Sequence, residues 1–307
     1  MTRNTELLLE EFKRCGIDYE IIWSELNYFH FKAKDGKWHI MCGMVSDHMP
    51  ATSHILCKEK YLTYKLFLEL GLPTPATIYF TDCTDEFLTS YSPLIIKPSD
   101  SAQGRGIKLN ITDVNGLNKA VKDTGVPESS VLLQQQIEGA DLRLLIIGGK
   151  LISAVERRPT QVIGDRKHTV RELIYLENQR PEREDRGTSR LRQISMEACK
   201  SYLTESGFQQ IPNMNEAIRV SGPANQSLGG SVHPASDLMT DKIKTQAESI
   251  AQHINAPIAG VDCILNSNGE HYFIEINSSP GIGIHDDSFW GTNDKSYEQY
   301  AQWLFEH

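Results

Sequence analysis

The chain has 307 residues, room for about two domains, and its 39% hydrophobic and 23% charged residues are globular values that exclude a disordered or collagen-like polymer. Its 31 basic against 40 acidic residues leave a net charge of −9. That argues against nucleic acid or an anionic membrane as the main partner, since both need a basic footprint, but a small anionic ligand needs only a local cluster of Lys and Arg.

The opening MTRNTELLLEEFKRCG places acids directly after its leucines and has no small-residue cleavage site, so it does not read as a signal peptide. No apolar run is long enough to cross a membrane. Residues 4–15 read as an amphipathic helix stopped by Gly16, and 17–23, 29–33 and 37–43 as short strands. Residues 57–70 carry Leu62, Leu66, Phe67 and Leu70 at helical spacing, closed by Gly71, Pro73 and Pro75, and a strand follows at 77–80. The stretch SPLIIKPSDSAQGRGIKLN reads as an apolar strand, a Gly-rich loop and a second strand over 107–109. It is not the strand–loop–helix of a dinucleotide or P-loop site. A hairpin with a Gly-rich tip can instead fold over a nucleotide as a flap.

Residues 131–137 and 143–157 give further strands, the latter pair turning at Gly148-Gly149. The mixed charges of 180–193 predict a mobile surface segment, and 237–255 a helix with Ile243, Ala247, Ile250, Ala251 and Ile254 on one face. GVDCIL and YFIEI are two strands joined by a polar hairpin, and the tail from Ser296 is a helix whose aromatic stripe packs on the body. The six cysteines (Cys15, Cys42, Cys57, Cys83, Cys199, Cys263) contain no CxxC pair. This disfavours structural zinc and disulfides and predicts reduced thiols in a cytoplasmic protein.

If the last two strands pair, Asp262, Glu275 and Asn277 come together. Glu275 and Asn277 are two apart and share a strand face, with Ile274 and Ile276 pointing into the core. Two carboxylates and an amide oxygen suit magnesium; acids at a solvent-facing strand edge are the alternative. Lys97 ends the run LIIK, where a phosphate would partner a buried ammonium, unless its head reaches water. Gly104 and Gly106 would let backbone N–H groups approach phosphates, although many glycine pairs are merely turns. Lys60 on its own reads as a solvated charge. The polar stretch RVSGPANQSLGGSV is either an anion-binding loop, with Asn225 and Ser227 as donors, or an ordinary long loop.

The order of these blocks resembles the ATP-grasp superfamily, and in particular the ATP-grasp modules of cyanophycin synthetase and bifunctional glutathione synthetase. The resemblance rests on IIKPSDSAQGRGI, EGADLRLLIIGGKLISAVERRPTQVIGDRKHTVREL, RVSGPANQSLGG and AGVDCIL followed by FIEINSSPGIGIH, and spans roughly three quarters of the chain. It implies an α+β fold, two α+β lobes clasping ATP, preceded by a small α/β pre-grasp domain. The implied divisions are a short pre-grasp domain at 1–56 and an ATP-grasp domain at 57–307, with a nucleotide-flap lobe over about 90–140 and a catalytic lobe over 141–307.

By the same resemblance, Lys60 and Lys97 contact ATP phosphates, Ser101, Gly104 and Gly106 lie in the covering loop, and Gln134, Gln136 and Ile137 form the adenine hinge. Asp141 meets the ribose, and Asp262, Glu275 and Asn277 hold Mg2+ or Mn2+. Arg158, Arg219 and Asn225 face the reacting phosphoryl group. Ser227, Gly229, Gly230, His233, Ser278, Ser279 and Gly281 face the substrates. The implied reaction joins a carboxylate to an amine through an acyl phosphate, between amino acids or small peptides. A kinase on the same scaffold is the alternative, and a non-catalytic nucleotide-binding module would not need the whole residue set. Relatives imply a dimer or tetramer. The chain departs from the pattern at the hinge, which reads QQQ where an acid is common, at His233, and in a pre-grasp segment that is short. It also has no glutamate–cysteine ligase or Mur-ligase-like half.

Overall fold

The computed structural model describes residues 1–100, 106–183, 191–200, 202–222, 224, 229–287 and 291–307. These form two compact units, one of Met1–Pro75, Ile137–Glu156 and Pro234–His307, the other of Ala76–Gln136 and Arg157–His233. No described helix is long and apolar enough to cross a membrane.

The first unit opens with the helix Arg3–Cys15. Thr2 caps its N-terminus, and Gly16, at φ 70°, closes it in the left-handed conformation that glycine adopts without strain. The strands Tyr19–Trp23, Tyr28–Lys32, Trp38–Cys42 and Val45–Ser46 then make an antiparallel sheet in chain order. Phe29, Phe31 and Met41 on its inner face pack with Leu8 and Phe12 of the first helix and with Tyr300 and Leu304 of the tail helix Ser296–Glu306. The aromatic stripe of the tail therefore packs on the body as expected, and Tyr300 donates from its buried hydroxyl to the Met44 carbonyl at 2.9 Å.

The central sheet of this unit runs Ser231–Pro234, Lys150–Arg158, Ala140–Ile147, Ile258–Leu265, His271–Asn277. Its hairpin turns through Gly148 and Gly149, both at positive φ. Alternation divides its faces. Leu142, Leu144, Ile146, Ala259 and Val261 pack on the helices Asp241–His253 and Lys60–Glu69, through Ile243, Ala247, Ile250, Leu66 and Phe67. The opposite face is apolar at one end, where Leu145, Ile147 and Ile258 join the cluster around Phe12 and Tyr300. It turns polar at the other end, at Asp141, Arg143 and Asp262.

The second unit holds the antiparallel sheet Thr77–Tyr79, Val131–Gln135, Leu94–Pro98, Lys108–Ile111. One face buries Leu94, Ile96, Val131 and Leu133 against Leu117 and Val121 of the helix Val114–Asp123 and Leu88 of the helix Asp85–Tyr91. A smaller core of Val162, Ile174, Phe208 and Val220 joins the paired strands Gln161–Ile163 and Ala217–Arg219 to the helices Val170–Asn178 and Glu205–Gln209.

The structure corrects three expectations. The single helix over 57–70 is two, Ala51–Lys58 and Lys60–Glu69, because Glu59 is extended at φ −103°, ψ 104°. Ile274 is half-buried and stands outside the apolar clusters, while Phe273 and Ile276 enter the core. In the charged stretch over 180–193, Arg183 is only 6% exposed, so that end is anchored; 184–190 lie outside the described residues.

Thr169 and Glu172 form a capping box at the start of Val170–Asn178. The Thr169 hydroxyl accepts from Glu172 N, and the Glu172 carboxylate accepts from Thr169 N at 2.8 Å. Thr169→Ala is expected to lower the unfolding free energy by about 1 kcal/mol in a urea titration.

Candidate functional site

In the first unit, Asp262 sits between two partners in register. Glu275 is its direct neighbour on one side and Arg143 on the other. The register slips immediately after, where Cys263 pairs with Phe273, so Ile274 is an extra residue. Such a bulge lets one strand change which face its side chains take. Phe273 can then enter the core beside Cys263 while Glu275 turns to Asp262. Asn277, two residues on, donates from Nδ2 to Gly260 O at 3.4 Å and to Glu275 Oε1 at 3.5 Å.

Asp262 is 4% exposed. A buried carboxylate needs a counter-charge, and Arg143 supplies one with Nε to Oδ1 and Nη2 to Oδ2, the latter at 3.1 Å. Gly260 makes room for that guanidinium, because a Cβ there would stand 2.8 Å from Pro280 Cβ and 3.2 Å from Arg143 Cδ. Asp141 precedes Arg143 by two residues on the same strand, hence on the same face. Two carboxylates and a carboxamide grouped in this way suit a hard divalent cation such as magnesium. The expected trio is brought together. Arg143 is an additional member, and its signal in the sequence is the Asp141-x-Arg143 spacing, the same period of two that marks Glu275-x-Asn277.

The segment after Asn277 is held by elements distant in sequence. Ser278, buried, shares a 2.8 Å hydrogen bond with His54 Nδ1. Asn4 donates to Pro280 O at 3.2 Å and accepts from Ile282 N at 3.2 Å and from the Tyr297 hydroxyl. Ser279 and Gly281 between them are exposed. Lys60 begins the helix Lys60–Glu69 of this unit and Ile137 its central segment, both half-buried.

In the second unit, Lys97 lies on the sheet face opposite the helices and is 4% exposed. Its ammonium donates to Gln134 Oε1 at 2.9 Å, and Gln134 Nε2 donates to Thr77 Oγ1 at 2.8 Å, a chain of polar groups across three strands. The Gln134 side chain, expected at an adenine hinge, is thus used to orient Lys97. Gln136 bonds reciprocally with Asn110, through Asn110 N to Oε1 and Nε2 to Asn110 Oδ1, both at 2.8 Å. Gly106, at φ 75°, could not carry a side chain, since a Cβ would lie 2.9 Å from Pro98 Cγ. Ser101, Gly104, Asn225 and Ser227 lie outside the described residues.

Arg158 is exposed at the end of Lys150–Arg158. Arg219 donates to Ser221 O at 2.9 Å and to Gly222 O, and its guanidinium lies 5.5 Å from the Tyr202 ring centroid, so its own loop orients it. Gly229, at φ 98°, accepts from Arg183 Nη1 at 3.1 Å. Arg183 also donates to Arg192 O at 2.8 Å and to Glu177 Oε1 at 2.9 Å. Gly230 is buried beside Gly229, and His233 Nε2 lies 3.0 Å from Ser231 Oγ.

Residues 57–281 match the family of the ATP-grasp domain. The chain is 30% identical over 246 residues to a cyanophycin synthetase from Crocosphaera subtropica, covering 75% of this chain and 28% of that protein. It is 25% identical over 327 residues to the glutathione biosynthesis bifunctional protein GshAB of Pasteurella multocida, covering 99% of this chain and 43% of that one. This chain therefore spans less than half the length of either relative. Among solved structures, a bifunctional glutathione synthetase from Pasteurella multocida superposes with a TM-score of 0.69 at 23% identity, covering 99% of this chain and 43% of that chain. D-alanine–D-alanine ligase from Bacillus anthracis superposes with a TM-score of 0.52 at 16% identity, over 82% and 67%. The chain belongs to the ATP-grasp family and has its fold.

Arg143→Met leaves the Asp262 carboxylate buried without its counter-charge. It is expected to cost roughly 3–5 kcal/mol of stability in a urea titration. Pairing it with Asp262→Asn should restore most of that loss, and an additive double variant would contradict the pairing.

Proposed function

We propose that this chain is an ATP-dependent carboxylate–amine ligase that joins amino acids or small peptides by an amide bond, releasing ADP and phosphate. The observation that carries the reading is the cluster of Asp262, Glu275 and Asn277 on one sheet face, with Arg143 bracing Asp262, in a chain of the ATP-grasp family. The relatives are named as synthetases and ligases, which supports amide formation over a phosphotransferase that stops at phosphoryl transfer. The cysteine pattern, six residues with no CxxC pair, supports a cytoplasmic setting.

Asp262, Glu275 and Asn277 would hold magnesium, which would neutralise the nucleotide's β- and γ-oxygens. The family resemblance assigns Lys97, which Gln134 orients, to a nucleotide phosphate. Phosphoryl transfer is governed by positioning and charge neutralisation more than by a covalent residue, so none is required of this chain. The substrate carboxylate takes the γ-phosphoryl group, and the amine then displaces phosphate at the carbonyl. Arg219 and Arg158 are the groups we assign to the negative charge that grows in these steps. Ser278, Ser279 and Gly281 would meet the amine-bearing substrate.

Hydroxylamine trapping tests this reading. Protein incubated with ATP, magnesium and hydroxylamine against a panel of amino acids, γ-glutamyl peptides and other carboxylic acids should yield a hydroxamate and ADP by mass spectrometry. Glu275→Gln should lower that yield by roughly a hundredfold or more while the fold persists. ADP formed with a phosphorylated product and no hydroxamate would favour the kinase instead.

A further inference from the structure

Away from the polar sheet face, the strand Trp38–Cys42 and the turn after Val45–Ser46 bring two imidazoles and a carboxylate onto one patch of the first unit. His39, Asp47 and His48 each present a ligand atom, and the three atoms lie within 4.8 Å of one another. Asp47 is already oriented. Its Oδ1 lies 3.2 Å from His39 Nδ1, and its Oδ2 accepts from Ile40 N at 3.2 Å. The His39 ring stacks on His48 at 4.5 Å between centroids, and His48 meets the edge of Trp303 at 5.6 Å.

The second observation is that Nε2 of His39 and Nε2 of His48 are both buried without a hydrogen-bond partner among the described residues. Folded proteins rarely leave such atoms unused, and two side by side call for an explanation.

We propose that His39, Asp47 and His48 form a binding site for a divalent transition-metal ion of the zinc, nickel or copper type. Two imidazole nitrogens and one carboxylate oxygen favour such ions over magnesium or calcium, which prefer oxygen alone. The site is thereby distinct in chemistry from the all-oxygen trio of Asp262, Glu275 and Asn277, and it does not depend on the ligase reading. Bonds of roughly 2.0 Å place ligand atoms roughly 3.3 Å apart, so the patch contracts on binding. The two rings lie 25° from parallel. They must splay to point their lone pairs at one ion, which breaks the stack and moves His48 against Trp303. Binding would pin the hairpin from Trp38 to Ser46.

The test is a Ni2+ titration of the full chain in excess Mg2+, which fills the oxygen sites, followed by tryptophan fluorescence. Saturable quenching is expected, largely lost in Trp303→Phe. His39→Gln and His48→Gln should each weaken Ni2+ binding at least tenfold, with Asp47→Asn weakening it less, while circular dichroism is unchanged. Should a histidine variant fail to fold, diamagnetic Zn2+ should shift the His39 and His48 imidazole resonances of the wild type in a nuclear magnetic resonance titration. No saturable Ni2+ binding, histidine variants within twofold of wild type, or His39 and His48 resonances unmoved by Zn2+ would each overturn the proposal.

Discussion

The polar end of the central sheet depends on one residue out of register. Asp262 faces Glu275 only because Ile274 is extra on the neighbouring strand, and it faces Arg143 through the uninterrupted pairing on its other side. A regular ladder would place Phe273 and Glu275 on the same face, so either the core would lose an aromatic ring or the polar face a carboxylate. The bulge satisfies both demands. It also concentrates charge at one end of a face whose other end is fully apolar, so the same sheet anchors the N-terminal helix and carries the candidate chemistry.

That anchoring bears on the site directly. Asn4 from the first helix and His54 from the second bond to the segment that follows Asn277, and Tyr297 from the tail helix donates to Asn4. The first 75 residues belong to the same compact unit as Asp262, Glu275 and Asn277. Their helices hold a loop whose exposed residues, Ser279 and Gly281, are the ones we assign to substrate. In the second unit a comparable economy appears at Arg183. One buried guanidinium ties the Gly229 carbonyl to the 192 carbonyl and to Glu177.

Much of this was readable in the residues, for identifiable reasons. The strands around Asp262 and Glu275, the Gly148-Gly149 turn and the helix over Asp241–His253 follow from apolar period and turn chemistry, and the grouping of Asp262, Glu275 and Asn277 follows from them. The bulge did not, because an extra residue leaves no mark on composition. The break at Glu59 carries no Gly or Pro to announce it. Short helices such as Val114–Asp123 and Val170–Asn178 had cap residues, Asp113 and Thr169, whose signal is weak without a long apolar stripe behind it. Arg183 lay hidden in a charge-rich run because two of its partners, 9 and 46 residues away, are backbone carbonyls, which sequence does not distinguish. Gln134 read as a departure from the family hinge, yet its amide orients Lys97, a role visible only once three strands are paired.

The central claim is that Asp262, Glu275 and Asn277 hold the nucleotide's divalent cation. Electron paramagnetic resonance of Mn2+ with ADP and the full chain addresses it without any knowledge of the substrates. The account predicts a bound Mn2+ signal that requires ADP, present in wild type and lost in Glu275→Gln at unchanged circular dichroism. Mn2+ bound equally well by Glu275→Gln and Asp262→Asn would contradict it.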